Sequence, residues 1–154
     1  KKIKHKLLSK ELKSAWKILP TTVGVLLITD NNSIYGITIN SYFSVSLEHS
    51  LLAISLSNES NTKTFIDNKL QFSLCILSND QKEYAYFFSK KNKESIPDSF
   101  EFLKNSNGLS YIKNSSVIFF CKPKSSKIVE DHTVVFCKIN DVILNNNEPL
   151  IWKF

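Results

Sequence analysis

Between Gly36 and Leu47 the chain reads Gly-Ile-Thr-Ile-Asn-Ser-Tyr-Phe-Ser-Val-Ser-Leu, with hydroxyl or amide side chains recurring at Thr38, Asn40, Ser44 and Ser46. Alternate residues of a strand share a face. Small polar groups therefore line one side, and Ile37, Ile39, Phe43, Val45 and Leu47 the other. Such a row reads either as the solvated face of a half-buried strand or as a ledge of donors and acceptors for the polar edge of a flat heterocycle. A second polar group follows at Ser55, Ser57, Asn58, Asn61, Thr62 and Lys63, where a helix is expected to start. Helix capping accounts for it without any ligand. Equally, free N–H groups, the positive end of the helix dipole and Lys63 together suit a phosphate.

Other chemistries find little support. Of three histidines, His5 lies in a lysine-rich start, His49 in a polar turn, and His132 after Asp131 at the head of a strand, where it can reach a site. No serine sits in a G-x-S-x-G elbow, so a hydrolytic triad is not indicated. The scattered His and Cys residues lack metal-ligand spacing. Glu130 and Asp131 are adjacent, and neighbours on a strand point to opposite faces, so paired acid–base work is not indicated either. Three glycines, at 24, 36 and 108, cannot form a Gly-rich phosphate loop. A bound nucleotide would have to be held in another way.

All 20 basic residues are lysine, and the net charge is +6. Arginine forks dominate base and phosphate recognition, and six of the lysines crowd the first 13 residues. No nucleic-acid partner is expected; a mild attraction for a phosphorylated small molecule remains compatible. No run of 18 apolar residues occurs, so no membrane span is expected. The basic start lacks a following apolar segment, which argues against a secretory signal. Cys75, Cys121 and Cys137 each lie in apolar runs without a C-x-x-C pair, reading as buried thiols of a reducing, cytoplasmic compartment.

The elements that must position these groups are mostly strands. Leu8, Leu12, Ala15, Trp16 and Leu19 recur at helical spacing over residues 7–19, ended by Pro20. From Val23 the period changes to that of strands: 23–29, 34–38, 42–47, 51–57, 71–77, 117–121, 127–129, 133–139 and 150–154. Short helices are expected over 60–68 and 83–88, the second opened by the capping-box spacing Ser78 to Gln81. Residues 89–108 form the longest irregular connection, a candidate functional loop. At 154 residues without repeat or linker, this is one mainly β domain, a β-barrel or meander with a few short helices.

The ordered set Thr38-x-Asn40-Ser41-x-x-Ser44-Val45-Ser46-Leu47, Leu52-x-Ile54-Ser55-Leu56-Ser57 and Ser60-x-Thr62 with Phe65 resembles the flavin reductase-like proteins. The likeness continues through residues 72–78, Asp80-Gln81, Phe88, Cys121, Asp131-His132 and Pro149-Leu150, covering about 20–153. The resemblance implies a split barrel of the FMN-binding type over 20–154, preceded by a helix over 1–19, and a homodimer. It implies NAD(P)H-dependent reduction of FMN or FAD, by hydride transfer to flavin N5. It sets Thr38, Asn40 and Ser41 along the isoalloxazine ring. Ser44, Ser46, Ser55 and Ser57 approach the ribityl chain and phosphate, Thr62 and Lys63 the phosphate end, and His132 the nicotinamide. Two positions depart from the family pattern: Glu130 stands where Gly precedes Asp-His, and His49-Ser50 where Pro-Pro is usual. A monooxygenase fed with reduced flavin is a further implied partner. The alternatives are a split-barrel flavin binder without reductase activity and a tight flavoprotein reducing another acceptor.

Overall fold

β-Branched and aromatic runs dominate from residue 21 onward, and there the chain lays down strands. The computed structural model describes residues 1–91 and 94–152. Its first half runs α1 (Lys2–Ile18), β1 (Thr21–Thr22), β2 (Gly24–Asp30), β3 (Ser33–Ile39), β4 (Tyr42–Ser46), β5 (Leu51–Ser57), α2 (Lys63–Asp67) and β6 (Phe72–Ile76). There follow α3 (Lys82–Ser89), β7 (Phe102–Lys104), β8 (Ser110–Ile112), β9 (Val117–Val129), β10 (His132–Leu144) and β11 (Ile151–Trp152).

Seven antiparallel strands form one sheet in the order β3-β2-β6-β9-β10-β5-β4. Its two edge strands, β3 and β4, are consecutive in the chain and joined only by Asn40-Ser41. The sheet must therefore curl until its edges meet at that corner, giving a split barrel. The seam is bridged by the Thr22 and Tyr42 hydroxyls at 2.6 Å, and by Asn40 Nδ2 donating to Thr21 Oγ1 at 3.3 Å. Alternation then sorts the side chains. Leu26, Ile28, Leu52, Ile54, Phe72 and Leu74 fill the barrel, while Val25, Leu27, Cys75, Ile118 and Phe120 face outward into a second core under α3.

Phe88 of α3 packs onto Gly36. A Cβ there would lie 2.6 Å from the Phe88 ring and 2.9 Å from Leu27, so only glycine admits the helix so close. Thr38 lies two residues along the same face and donates to Ala85 O of α3 at 2.7 Å. The start of α3 is held by Gln81, which accepts from Ser78 N at 3.0 Å and donates to Lys113 O at 2.7 Å. This is one half of the expected capping box; the Ser78 hydroxyl turns to Asp80 instead.

Several bounds differ from the expectations. α1 starts at Lys2, and β9 and β10 are continuous strands of 13 residues each. The expected strands 117–121 and 127–129 are one continuous β9; Pro123 between them sits at a register shift opposite Cys137, where its missing N–H costs little. The irregular connection contains β7, and β8 follows it; residues 92–93 of that connection and 153–154 of the last expected strand lie outside the described residues. α2 has only five residues, its Thr62 cap position makes no side-chain cap bond, and the Ser60 hydroxyl takes the Thr62 N–H at 3.3 Å. The three cysteines are free and buried.

Candidate functional site

The corner at Asn40-Ser41 splits the polar row into two parts. Residues directly opposite each other on paired strands share a face. Tyr42 and Ser44 pair with Ile54 and Leu52, both barrel core, so they face inward. Ser55 and Ser57 alternate with Ile54 and Leu56 and therefore face outward. The resemblance has Ser44, Ser46, Ser55 and Ser57 all approach the ribityl chain and phosphate; the register of β4 on β5 puts Ser44 on the opposite side of the sheet from Ser55 and Ser57, and a register shift after Ser44 pairs Ser46 with Leu51. Ser44 and Ser46 line a separate groove of about 480 Å³ at the barrel mouth, with Tyr42, Leu47, Leu52, Phe119 and Val142. Ser46 Oγ also accepts from His49 N at 3.1 Å.

On the outer face a second set comes together. Ser41 Oγ donates to Ser55 O at 2.9 Å, and Ser55 N donates back to Ser41 O at 2.9 Å. This fixes the corner beside β5. Across the β5–β10 ladder Ser57 stands opposite His132, Ser55 opposite Val134, and Ala53 opposite Phe136. An apolar strip thus ends in a polar rim. His132 is about half exposed, and its Nδ1 lies 3.0 Å from Asp131 Oδ1. That hydrogen bond first, and the imidazole charge second, hold the Asp131 carboxyl below the usual carboxylate range.

Asn58 anchors this end of the barrel. It donates from Nδ2 to Glu130 O at 3.0 Å and from its N–H to Asp131 O at 3.0 Å, and accepts from Thr133 Oγ1 at 2.6 Å. The chain leading to α2 is thereby tied to the β9–β10 turn that presents His132. Asn58 was legible as part of a polar group, but its clamp on that turn was not, because the partners lie more than 70 residues away. Glu130 and Asp131 are the two loop residues of that hairpin rather than part of a strand, and Glu130 has φ 54°. A glycine would adopt this conformation without strain, which accounts for the family's preference there. Ser50 has φ 53°, a value closed to proline, so the turn after β4 cannot accept the family's second Pro.

The phosphate end is differently built from the expectation. Thr62 is buried, with its hydroxyl 2.9 Å from that of Ser60. Lys63 Nζ is 2.9 Å from Asp67 Oδ2 one turn on, an ion pair within α2 itself. Five residues are too few for a strong helix dipole. Lys63 and the hydroxyls of Ser57 and Ser60 are what remains to meet an anion. Tyr42 is held neutral: burial pushes its phenol up to about 12, against the opposing bond from Thr22. Among the described residues no group of three or more His, Cys, Asp or Glu could hold a metal ion, and no helix is long and apolar enough to cross a membrane.

A curled antiparallel barrel, a polar rim on its outer face and a hairpin presenting Asp-His define a class. The flavin reductase like domain model matches residues 17–154, and the chain belongs to that family. The chain is 26% identical over 134 residues to an NADH-dependent flavin reductase of Rhodococcus, covering 84% of this chain and 74% of that one. It is 24% identical over 145 residues to the FMN reductase (NADH) SmoA of Agrobacterium fabrum, with 94% and 82% covered. The fold matches that of the styrene monooxygenase flavin reductase of Pseudomonas putida S12 with a TM-score of 0.82, at 24% identity and over 90% of both chains.

Proposed function

We propose that this protein is an NADH-dependent flavin reductase. The observation that carries the proposal is the family match over 17–154, joined to an outer sheet face where an apolar strip ends in hydroxyls, a lysine and a histidine. Those residues fit a flavin: half-buried Val134 and Phe136 offer an apolar bed, and Asn40 and Ser41 offer polar groups for a ring edge. Thr38 flanks that edge while bonded to α3. Ser55 and Ser57 lead toward the phosphate end at Thr62 and Lys63, where Lys63 adds positive charge. Ser44, on the other face, is left out of this bed, and the Ser46 hydroxyl is engaged by His49 N. A bound flavin supplies the hydride acceptor and a nicotinamide the hydride; the protein's task is stacking and orientation. His132, held by Asp131 and by the Asn58 clamp beneath, stands where a nicotinamide would approach. No strong acid, base or metal is required of the chain.

The finer reading is a homodimer of one-domain chains (helix 1–19, barrel 20–154) that works in the cytoplasm. Three free buried thiols support the compartment. The fold likeness to a reductase of a styrene monooxygenase supports a monooxygenase as recipient of reduced flavin. Titrating the protein into FMN and following flavin fluorescence tests the binding. Quenching is expected, and Lys63→Ala is expected to weaken it by about two- to five-fold, the scale of one exposed charge contact. Absence of quenching with both FMN and FAD overturns the proposal.

A further inference from the structure

The two ends of the proposed site come from segments far apart in the chain, and one side chain joins them. Residues 57–63 offer hydroxyls and Lys63 to an anion, and the β9–β10 hairpin presents His132. Half-buried Asn58 directs its backbone N–H and both ends of its amide onto that hairpin. Asp131 O, Glu130 O and the hydroxyl of buried Thr133 are its partners, at 2.6–3.0 Å. The hairpin needs such a hold. β5 ends at Ser57, opposite His132, so Glu130 and Asp131 project past the last rung of that ladder. Glu130 has φ 54°, a conformation that a residue with a side chain keeps only where its surroundings impose it. Asp131 in turn holds His132 Nδ1 at 3.0 Å. On the other side of Asn58 the loop is knit together from Ser57 to Lys63. Ser57 Oγ accepts from Glu59 N at 3.3 Å, Ser57 O from Ser60 N at 3.0 Å, and Ser60 O from Lys63 N at 3.1 Å. The Ser57 hydroxyl proton is thereby left for an anion.

We infer that Asn58 is a positioning residue that couples the two ends: a phosphate monoester held by this loop sets the hairpin, and with it His132, for the nicotinamide. The inference rests on the flavin reductase reading above and adds a regulation of that site by the flavin's own phosphate. A ligand shifts a two-state element only by binding one state better than the other. An anion that draws on Ser57, Ser60 and Lys63 at once favours the knit loop, in which Asn58 meets the hairpin. A neutral flavin tail has no such preference. The coupling is reciprocal by linkage. A nicotinamide dinucleotide then tightens FMN more than it tightens riboflavin, which has the same ring and ribityl chain but no phosphate. No contact between phosphate and nicotinamide is required, because the connection runs through Asn58, the two hairpin carbonyls and the Asp131–His132 bond.

Initial rates of NADH oxidation by the full chain, with saturating FMN or saturating riboflavin, test this. The KM for NADH is expected to be about five-fold or more lower with FMN, with kcat alike because the reacting ring is the same. Asn58→Ala is expected to raise the KM with FMN until the two flavins agree within about two-fold. Glu130→Gly relieves the turn that the clamp restrains. It is expected to close the same gap from the other side, by lowering the KM with riboflavin. This second variant decides the matter if circular dichroism shows that Asn58→Ala does not fold. Equal KM values in an active wild type overturn the coupling alone. So does an Asn58→Ala in which both values rise and keep their ratio, as a merely structural role would have it. A Glu130→Gly that leaves the riboflavin value unchanged does the same. No oxidation with either flavin overturns the reductase reading and the coupling with it.

Discussion

On the β2–β3–β6 side of the barrel, Phe88 of α3 and Phe120 of β9 are buried in one core between the sheet, the helix and the loops that follow it. On the β4–β5–β10 side, the outward residues Ser55, Val134 and Phe136 stay half-buried, and Phe43 and Ser57 are exposed. The same sheet supplies both faces, and the hydrogen-bond ladders are alike. The difference lies in what the side chains can do. Gly36 removes a Cβ so that a phenylalanine can approach, which commits that face to its own helix. The serines on β5 commit nothing and leave room. A closed face holds the fold together, and an open one can take a ligand.

Substitutions that open the closed face should cost the most. Phe88→Ala, which empties a fully buried site, is expected to lower unfolding free energy in denaturant titration by about 3–5 kcal/mol. Gly36→Ala, which pushes a methyl into Phe88 and Leu27, is expected to cost about 1–3 kcal/mol by the same measurement. Thr133→Val strips the Asn58 carbonyl of its buried donor; it is expected to cost about 1–3 kcal/mol and to lower turnover through the loosened His132 hairpin. On the open face His132→Ala is expected to change stability by less than about 0.5 kcal/mol, while reducing flavin-dependent NADH oxidation about ten-fold. A large stability loss there, or none for Gly36→Ala, breaks the contrast between the faces.

Alkaline pH probes the closed regions in a different way. Burial pushes Cys75 up to about 11, Cys137 up to about 12 and Tyr42 up to about 12, from ordinary values of 9.0, 9.0 and 10.0. The folded chain holds these protons more tightly than the unfolded one. Their contribution is complete below about pH 9 and is lost as pH rises from there toward 12. Thermal midpoints are expected to fall across that window, and Tyr42→Phe to remove the part above pH 10.

Much of this was legible in the residues. The change of period at Val23 and the capping spacing at 78–81 placed strands and α3 close to where they lie. What the order of residues could not carry was register. Whether Ser44 faces the same way as Ser55 depends on β4 pairing Ser44 with Leu52, a fact that no single strand contains. The polar stretch 122–126 separated the two expected strands, and the bulge that lets β9 run through Pro123 forms only against β10. The phosphate end was overdrawn for a related reason: capping residues mark where a helix starts but not that it stops after five residues, nor that Lys63 would turn to Asp67.

Under the proposed function, the open face binds flavin and positions a nicotinamide against it. The most direct measurement is the loss of NADH absorbance with purified protein, with and without added FMN or FAD. Oxidation that requires added or bound flavin, and that falls in His132→Ala with the fold intact, is the expected result. Flavin bound without any NADH oxidation contradicts the claim.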